Sequence, residues 1–80
     1  MTVNKLEKEL NRLGIKNSAY SLTDAFANEK YCLIKENESW HVFYSERGNR
    51  NEEKVFFLED AACSYFIEFI IRDSSVQKLN

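Results

Sequence analysis

The sequence predicts an α+β protein in the order α-β-β-β-α: a three-stranded antiparallel meander with two helices packed on one face. Three observations carry that expectation. Leucines recur at helical spacing in the opening "TVNKLEKELNRLG". Apolar and aromatic residues fill "KYCLIKE" and "SWHVFYS" on either side of a short polar turn, with Trp40, Val42 and Tyr44 at every second position. Finally, "DAACSYFIEFIIRD" runs at helical period without Gly or Pro. With eighty residues and no Pro or Gly cluster to mark a linker, residues 1–80 are expected to form one domain.

Each element has a local reason. In the first helix Val3, Leu6, Leu10 and Leu13 fall in a stripe roughly 80° wide, enough to pack on one side. Asn4 with Glu7 resembles a capping box, and Gly14 suits the residue just past the helix end. The following "IKNSAYSLTDAFANE" lacks periodicity and reads as a connector with a short helical turn at Thr23–Ala27. "KYCLIKE" and "SWHVFYS" are strands around Asn37-Glu38, and "EKVFFLE" is a third strand after a loop at Arg47-Gly48-Asn49. The second helix starts with Asp60 as its N-cap. Residues 73–80 are expected to fray.

A turn at Asn37-Glu38 pairs Lys35 with Trp40, Leu33 with Val42 and Tyr31 with Tyr44, which places these six on one face. Cys32, Ile34, His41 and Phe43 share the other. The second set is smaller and fits beneath helices, whereas Trp and Tyr tolerate a wet surface through their polar tips. The expectation is therefore that Cys32, Ile34 and Phe43 face the helices while Tyr31, Trp40 and Tyr44 form the outer surface. A one-residue slip of register would reverse it and bury Trp40 and Val42. In the second helix the apolar residues fill an arc of roughly 240° at helical spacing, more than one sheet contact uses. Either that helix is wedged between sheet, first helix and connector, or its spare flank is a dimer or partner surface.

Composition narrows the function classes. The formal charge of −2 argues against nucleic acid or anionic membrane as the main partner, because both demand clustered Lys and Arg. The longest apolar runs fall far short of a membrane span, and the charged start "MTVNKLEKEL" does not suit a signal peptide, so a cytoplasmic protein is expected. Cys32 and Cys63 are then buried thiols rather than a disulfide. The lone His41 has no neighbour in sequence that completes a triad. Two distant cysteines and one histidine make no zinc site, and isolated Gly14 and Gly48 make no phosphate loop. No catalysis, metal or cofactor is expected. The order α-β-β-β-α also belongs to double-stranded RNA-binding domains, but those start their second helix with basic residues where this chain has Glu59-Asp60.

"WHVFYSERGNR" followed by "FFLEDAACSYF" resembles a family of very small bacterial proteins. The resemblance rests on Trp40, Val42, Tyr44, Glu46, Arg47 and Gly48, and then on Phe56, Ala62, Cys63, Tyr65 and Phe66. It covers residues 30 to 70, and the helix start carries one acidic residue fewer than the family pattern. Such proteins resemble the immunity partners of polymorphic or contact-dependent toxins, which neutralise one cognate toxin domain in the cytosol. The resemblance implies a non-enzymatic inhibitor, monomeric or weakly dimeric, that occludes the active site of a toxin, a nuclease by expectation. Nuclease clefts are basic, so acidic and aromatic residues together would supply steering and anchors. The expected toxin-binding residues are Tyr31, Trp40, Tyr44, Glu36, Glu38, Glu46, Glu52 and Glu53. The alternative is a small module that dimerises through the apolar face of the second helix.

Overall fold

A computed structural model describes residues 1–77. Helix α1 spans Val3–Arg12, strand β1 Tyr20–Ser21, β2 Lys30–Glu36, β3 Ser39–Glu46, β4 Asn49–Phe56 and helix α2 Glu59–Ile71. The sheet order is β1-β2-β3-β4. The expected antiparallel meander is present as β2-β3-β4, but the sheet has four strands and is mixed, because β1 pairs parallel to β2. Two residues of β1 carry no alternation from which the sequence could have announced them.

Helix α1 is capped by Thr2, whose hydroxyl accepts from the Lys5 N–H at 3.3 Å, and not by the expected Asn4. At its other end Gly14 has φ +78°, and the Gly14 and Ile15 N–H groups donate to the carbonyls of Asn11 and Leu10. This is the Schellman closure that glycine permits. Helix α2 likewise starts earlier than expected, with Leu58 at its N-cap. Glu59 and Asp60 lie in its first turn, where carboxylates suit the helix dipole. They also hold α1 in place: Glu59 accepts from the Val3 N–H at 2.9 Å and Asp60 from the Met1 ammonium.

Both hairpins turn in two residues, with Glu36 opposite Ser39 and Glu46 opposite Asn49. In the second, Arg47 and Gly48 both have positive φ, as the twist of a type I′ hairpin requires. The expected loop at Arg47-Gly48-Asn49 is thus a two-residue turn at Arg47-Gly48, and β4 begins at Asn49 rather than at the expected Glu53. Further along, Val42 opposes Lys54 but Tyr44 opposes Asn51, so Glu52 and Glu53 together face Phe43. That bulge, with Glu52 at φ +56°, shifts the alternation by one residue and turns Arg50 onto the same face as Phe43.

The two faces are covered differently, and opposite to expectation. The register of Tyr31, Leu33 and Lys35 with Tyr44, Val42 and Trp40 is as expected. Yet it is this face that meets the helices: Leu33 and Val42 are buried with Leu6, Leu10, Phe66 and Ile70. Tyr31, Trp40, Tyr44 and Phe56 surround that centre, partly buried. The physical reason is footprint: two helices need a wide apolar surface, which Leu33 and Val42 supply once the rings of Tyr31, Trp40, Tyr44 and Phe56 extend it at the rim. Cys32, Ile34 and Phe43 lie on the other face beneath Ala25 and Ala27 of the connector. The connector's expected helical turn is a tight turn, with the Ala27 N–H on the Asp24 carbonyl.

Helix α2 is wedged, which accounts for its wide apolar arc: Ala62, Cys63, Phe66, Phe69 and Ile70 are buried, while Ile71 stays 45% exposed. The tail expected to fray is tied down through residue 77. Ser74–Val76 forms a 3₁₀ turn with Val76 buried, the Lys16 N–H donates to the Val76 carbonyl at 2.7 Å, and Ile15 bridges Gln77. The remainder of that expectation, residues 78–80, lies outside the described residues. Cys32 and Cys63 are free and buried on opposite sides of the sheet, and burial pushes each thiol up to about 11. No helix among the described residues is long and apolar enough to cross a membrane.

Candidate functional site: an acid-rimmed tyrosine recess and an ion-pair strap

The eight residues expected at a binding surface separate into three places. Glu36 and Glu53 lie on the sheet face away from the helices, where they hold Arg50. Its guanidinium forks onto Glu36, Nη1 to Oε1 at 2.9 Å and Nη2 to Oε2 at 2.5 Å, and Nη1 also donates to Glu53 at 2.9 Å. The same group sits 4.4 Å above the ring of Phe43. Arg50 is raised above its usual value first by its hydrogen bond to Glu36. Glu36 is lowered by that bond. For Glu53 burial works upward, but the bonds from His41 and Arg50 outweigh it and the carboxyl ends lower than usual.

His41 extends this strap. Its Nδ1 lies 2.8 Å from Glu53 and its Nε2 3.0 Å from Ser39 Oγ. The distances are those of a serine–histidine–carboxylate relay, assembled from residues that sequence spacing had not joined. Two further contacts engage its outer members. Glu53 Oε2 is shared with Arg50, and the Ser39 hydroxyl donates to the Glu36 carbonyl at 3.2 Å. The proton a nucleophile would pass to histidine thus has a backbone acceptor. The cluster ties β2, β3 and β4 together over Phe43.

Trp40 and Glu38 are at the opposite end of the sheet from the β3–β4 turn. Trp40 is half-buried on the helix side with the Lys35 ammonium 5.4 Å from its ring centre, and Glu38 is exposed in the first hairpin turn.

The remaining four, Tyr31, Tyr44, Glu46 and Glu52, meet at the end of the sheet that carries the β3–β4 turn. Tyr31 and Tyr44 pack edge to face at 4.8 Å, and Tyr31 does the same with Phe69 at 5.1 Å. The Tyr31 hydroxyl donates to Asp73 at 3.0 Å, and Asp73 is in turn held by the Ser75 N–H and hydroxyl at 3.0 and 2.6 Å. Beside Tyr31 opens a recess of about 180 Å³ that reaches Tyr44, Glu29 and Asp73. A second, of about 360 Å³, reaches Glu52, Phe69 and Arg72 from the same tyrosine. Burial pushes the Tyr31 phenol up to about 12, helped by Asp73 and by the neighbouring Tyr44 and Glu52. Tyr44 is raised by burial and then by Glu46, Glu29 and Asp73. Glu29 and Glu52 share a further property: each has φ +56°, a conformation that costs a non-glycine residue about 1 kcal/mol. Sequence reasoning missed Asp73 and Glu29 because nothing local links a tail residue or a connector residue to a strand face.

The described residues contain no group of three or more His, Cys, Asp or Glu placed to hold a metal ion. Comparison of the chain with protein-family models, with curated proteins and with solved structures gives no match.

Proposed function

We propose that this protein is a non-catalytic immunity protein. It binds a cognate bacterial toxin domain, a nuclease, in the cytoplasm and neutralises it by occluding the active site. The observation that carries the reading is the pair of recesses at the β3–β4 end of the sheet: Tyr31 and Tyr44 with Glu29, Glu52 and Asp73 on the walls, and Glu46 acting on Tyr44 from beside them. Rigid aromatic surface beside negative charge is what a basic nuclease cleft would meet, since electrostatic complementarity speeds encounter and aromatics anchor the complex. The surface differs from the outward sheet face first expected. It keeps Tyr31, Tyr44, Glu46 and Glu52, and transfers Glu36 and Glu53 to the strap that rigidifies the strands behind it. Exposed Phe57 and Leu58, at 82% and 69%, provide apolar surface where β4 leads into α2.

The test begins with the gene's neighbourhood, where the proposal expects a large reading frame ending in a toxin domain, and proceeds to co-expression of that domain with this protein in a sensitive host. Growth is restored by the wild type, and a complex of the two purified proteins elutes together. Tyr44→Ala with Glu46→Lys weakens that complex at least tenfold, the scale of an anchor residue, at a temperature where circular dichroism shows the variant to be folded. Killing that proceeds unchanged beside the well-expressed wild type, with no complex formed, overturns the proposal.

A further inference from the structure

The carboxylate rim raises the question of what chemistry the tyrosine recess accepts. We propose that the two adjoining recesses beside Tyr31, which share Tyr31 and Asp73 and are bounded by Tyr44 and Glu29 on one side and by Glu52 on the other, together seat an arginine side chain of the protein partner, its guanidinium lying against Tyr31 and the rim carboxylates. This rests on the reading above that the protein binds a basic partner, and it names the group that partner contributes.

Three observations favour a guanidinium. The walls are aromatic and already braced, since Tyr31 is held by its bond to Asp73 and by edge contacts with Tyr44 and Phe69. An incoming group therefore meets preformed rings. Planar guanidinium stacks on such rings and forks onto carboxylates, where an ammonium acts only as a point charge. The rim carboxylates are also free to accept: among the described residues the acids in ion pairs are Glu9, Glu36, Glu53 and Asp60, which leaves Glu29, Glu46 and Glu52 unneutralised. Finally, the local field is negative. Lys16 lines one recess and Arg72 the other, but Glu29, Glu52 and Asp73 outnumber them on the two walls.

Two other places were weaker claimants. The outer edge of β4 could accept a strand, but its bulge at Glu52 and its run of Glu52, Glu53 and Lys54 are devices that discourage pairing. The Phe57–Leu58 corner is apolar without any group that specifies an occupant.

The experiment is a titration of the full chain, labelled with ¹⁵N, with N-acetyl-arginine amide, and in parallel with N-acetyl-norleucine amide. The arginine compound produces saturable amide shifts clustered at residues 29–31, 44, 52 and 73. The norleucine compound does not, and Glu29→Gln with Glu52→Gln weakens the arginine response about fivefold. Equal shifts with norleucine, shifts scattered over the surface, or an unchanged response in the double variant would overturn the assignment. A toxin complex that forms with undiminished affinity in the double variant also overturns it, yet leaves the immunity role standing. A clean arginine response without any toxin complex leaves the recess chemistry standing and removes the immunity role.

Discussion

The two faces of the sheet are built on different principles. On the helix face, Leu33 and Val42 disappear beneath regular elements whose own apolar residues, Leu6, Leu10, Phe66 and Ile70, interlock with them. On the other face, Phe43 is as fully buried as any of these, but what covers it is two alanines of a connector and the flat guanidinium of Arg50. One face is dry packing; the other is a thin lid whose outer surface is charged. A chain this short cannot supply a third layer of helices, and a tethered arginine closes the gap with one side chain. Because a lid of that kind can settle when the residue beneath shrinks, and interlocked helices cannot, the two faces should respond differently to the same truncation.

The largest expected effect tests that difference directly. Phe66→Ala, in the middle of the dry face, should cost about 3–5 kcal/mol, enough to unfold most of a domain of this size. Phe43→Ala removes the same atoms, but Arg50 and the connector can move inward, so its cost should fall at the lower end, near 3 kcal/mol. Urea unfolding of both measures the gap. Equal losses would mean that the lid is as rigid as the helices. Arg50→Ala should then cost about 1–2 kcal/mol, since it uncovers Phe43 and strands two partly exposed carboxylates. Arg50→Lys should recover little of this, because the fork onto Glu36 needs guanidinium geometry. If Arg50→Met were fully stable, covering Phe43 rather than pairing charge would be what matters, as happens where ion pairs give way to apolar side chains.

The contrast also marks how far the sequence could be read. The pairing of β2 with β3 was legible to the residue, because a short polar turn at Asn37-Glu38 between two apolar runs favours that register. Which face turns inward was not. Both faces carry apolar side chains, and the choice is made by distant partners: the leucines of α1 and the small Ala25 and Ala27 that suit a thin cover. The premise that tyrosine and tryptophan favour a wet edge was sound, but the wet edge is the rim of the helix interface. The first half of β4 was hidden for another reason. "NRNEE" has no apolar alternation, since that half of the strand stays uncovered, and only the bulge sends Arg50 to the face where it acts. Of the candidate site, the tyrosines and glutamates were legible as residue types. Their meeting with Asp73 and Glu29 depends on the tail folding back along residues 15 and 16.

Acid should separate the faces next. Glu36 and Glu53 both sit below their ordinary carboxylate values in the folded protein. Between the folded and unfolded values the unfolded chain binds more protons, so the strap's stabilisation is present above about pH 4.3 and is lost as pH falls through the lowered folded values. Glu36→Gln with Glu53→Gln should be less stable at pH 7 and should lose less on going to pH 3. Identical pH slopes in the wild type and the variant would show that the strap carries no linkage. Asp73 is also lowered, chiefly by Ser75, and lies apart from the strap, so part of the acid slope should survive the double substitution.

Alkali reaches the helix face through its rim, with the smallest effect. Tyr31 is raised to about 12 by burial and by Asp73, against about 10 in the unfolded chain. Between those values the folded protein holds the proton that the unfolded chain has lost, so stability is unaffected below pH 10 and declines from there towards 12. Absorbance at 295 nm should resolve a late-ionising tyrosine that Tyr31→Phe abolishes. That substitution also deletes the hydroxyl bond to Asp73, a loss of about 1 kcal/mol at pH 7. It leaves the ring contacts with Tyr44 and Phe69 in place. If instead the phenols titrate together near 10, the Tyr31 hydroxyl is not committed to Asp73. The recess would then lose its brace, and with it the preformed wall on which the arginine proposal depends.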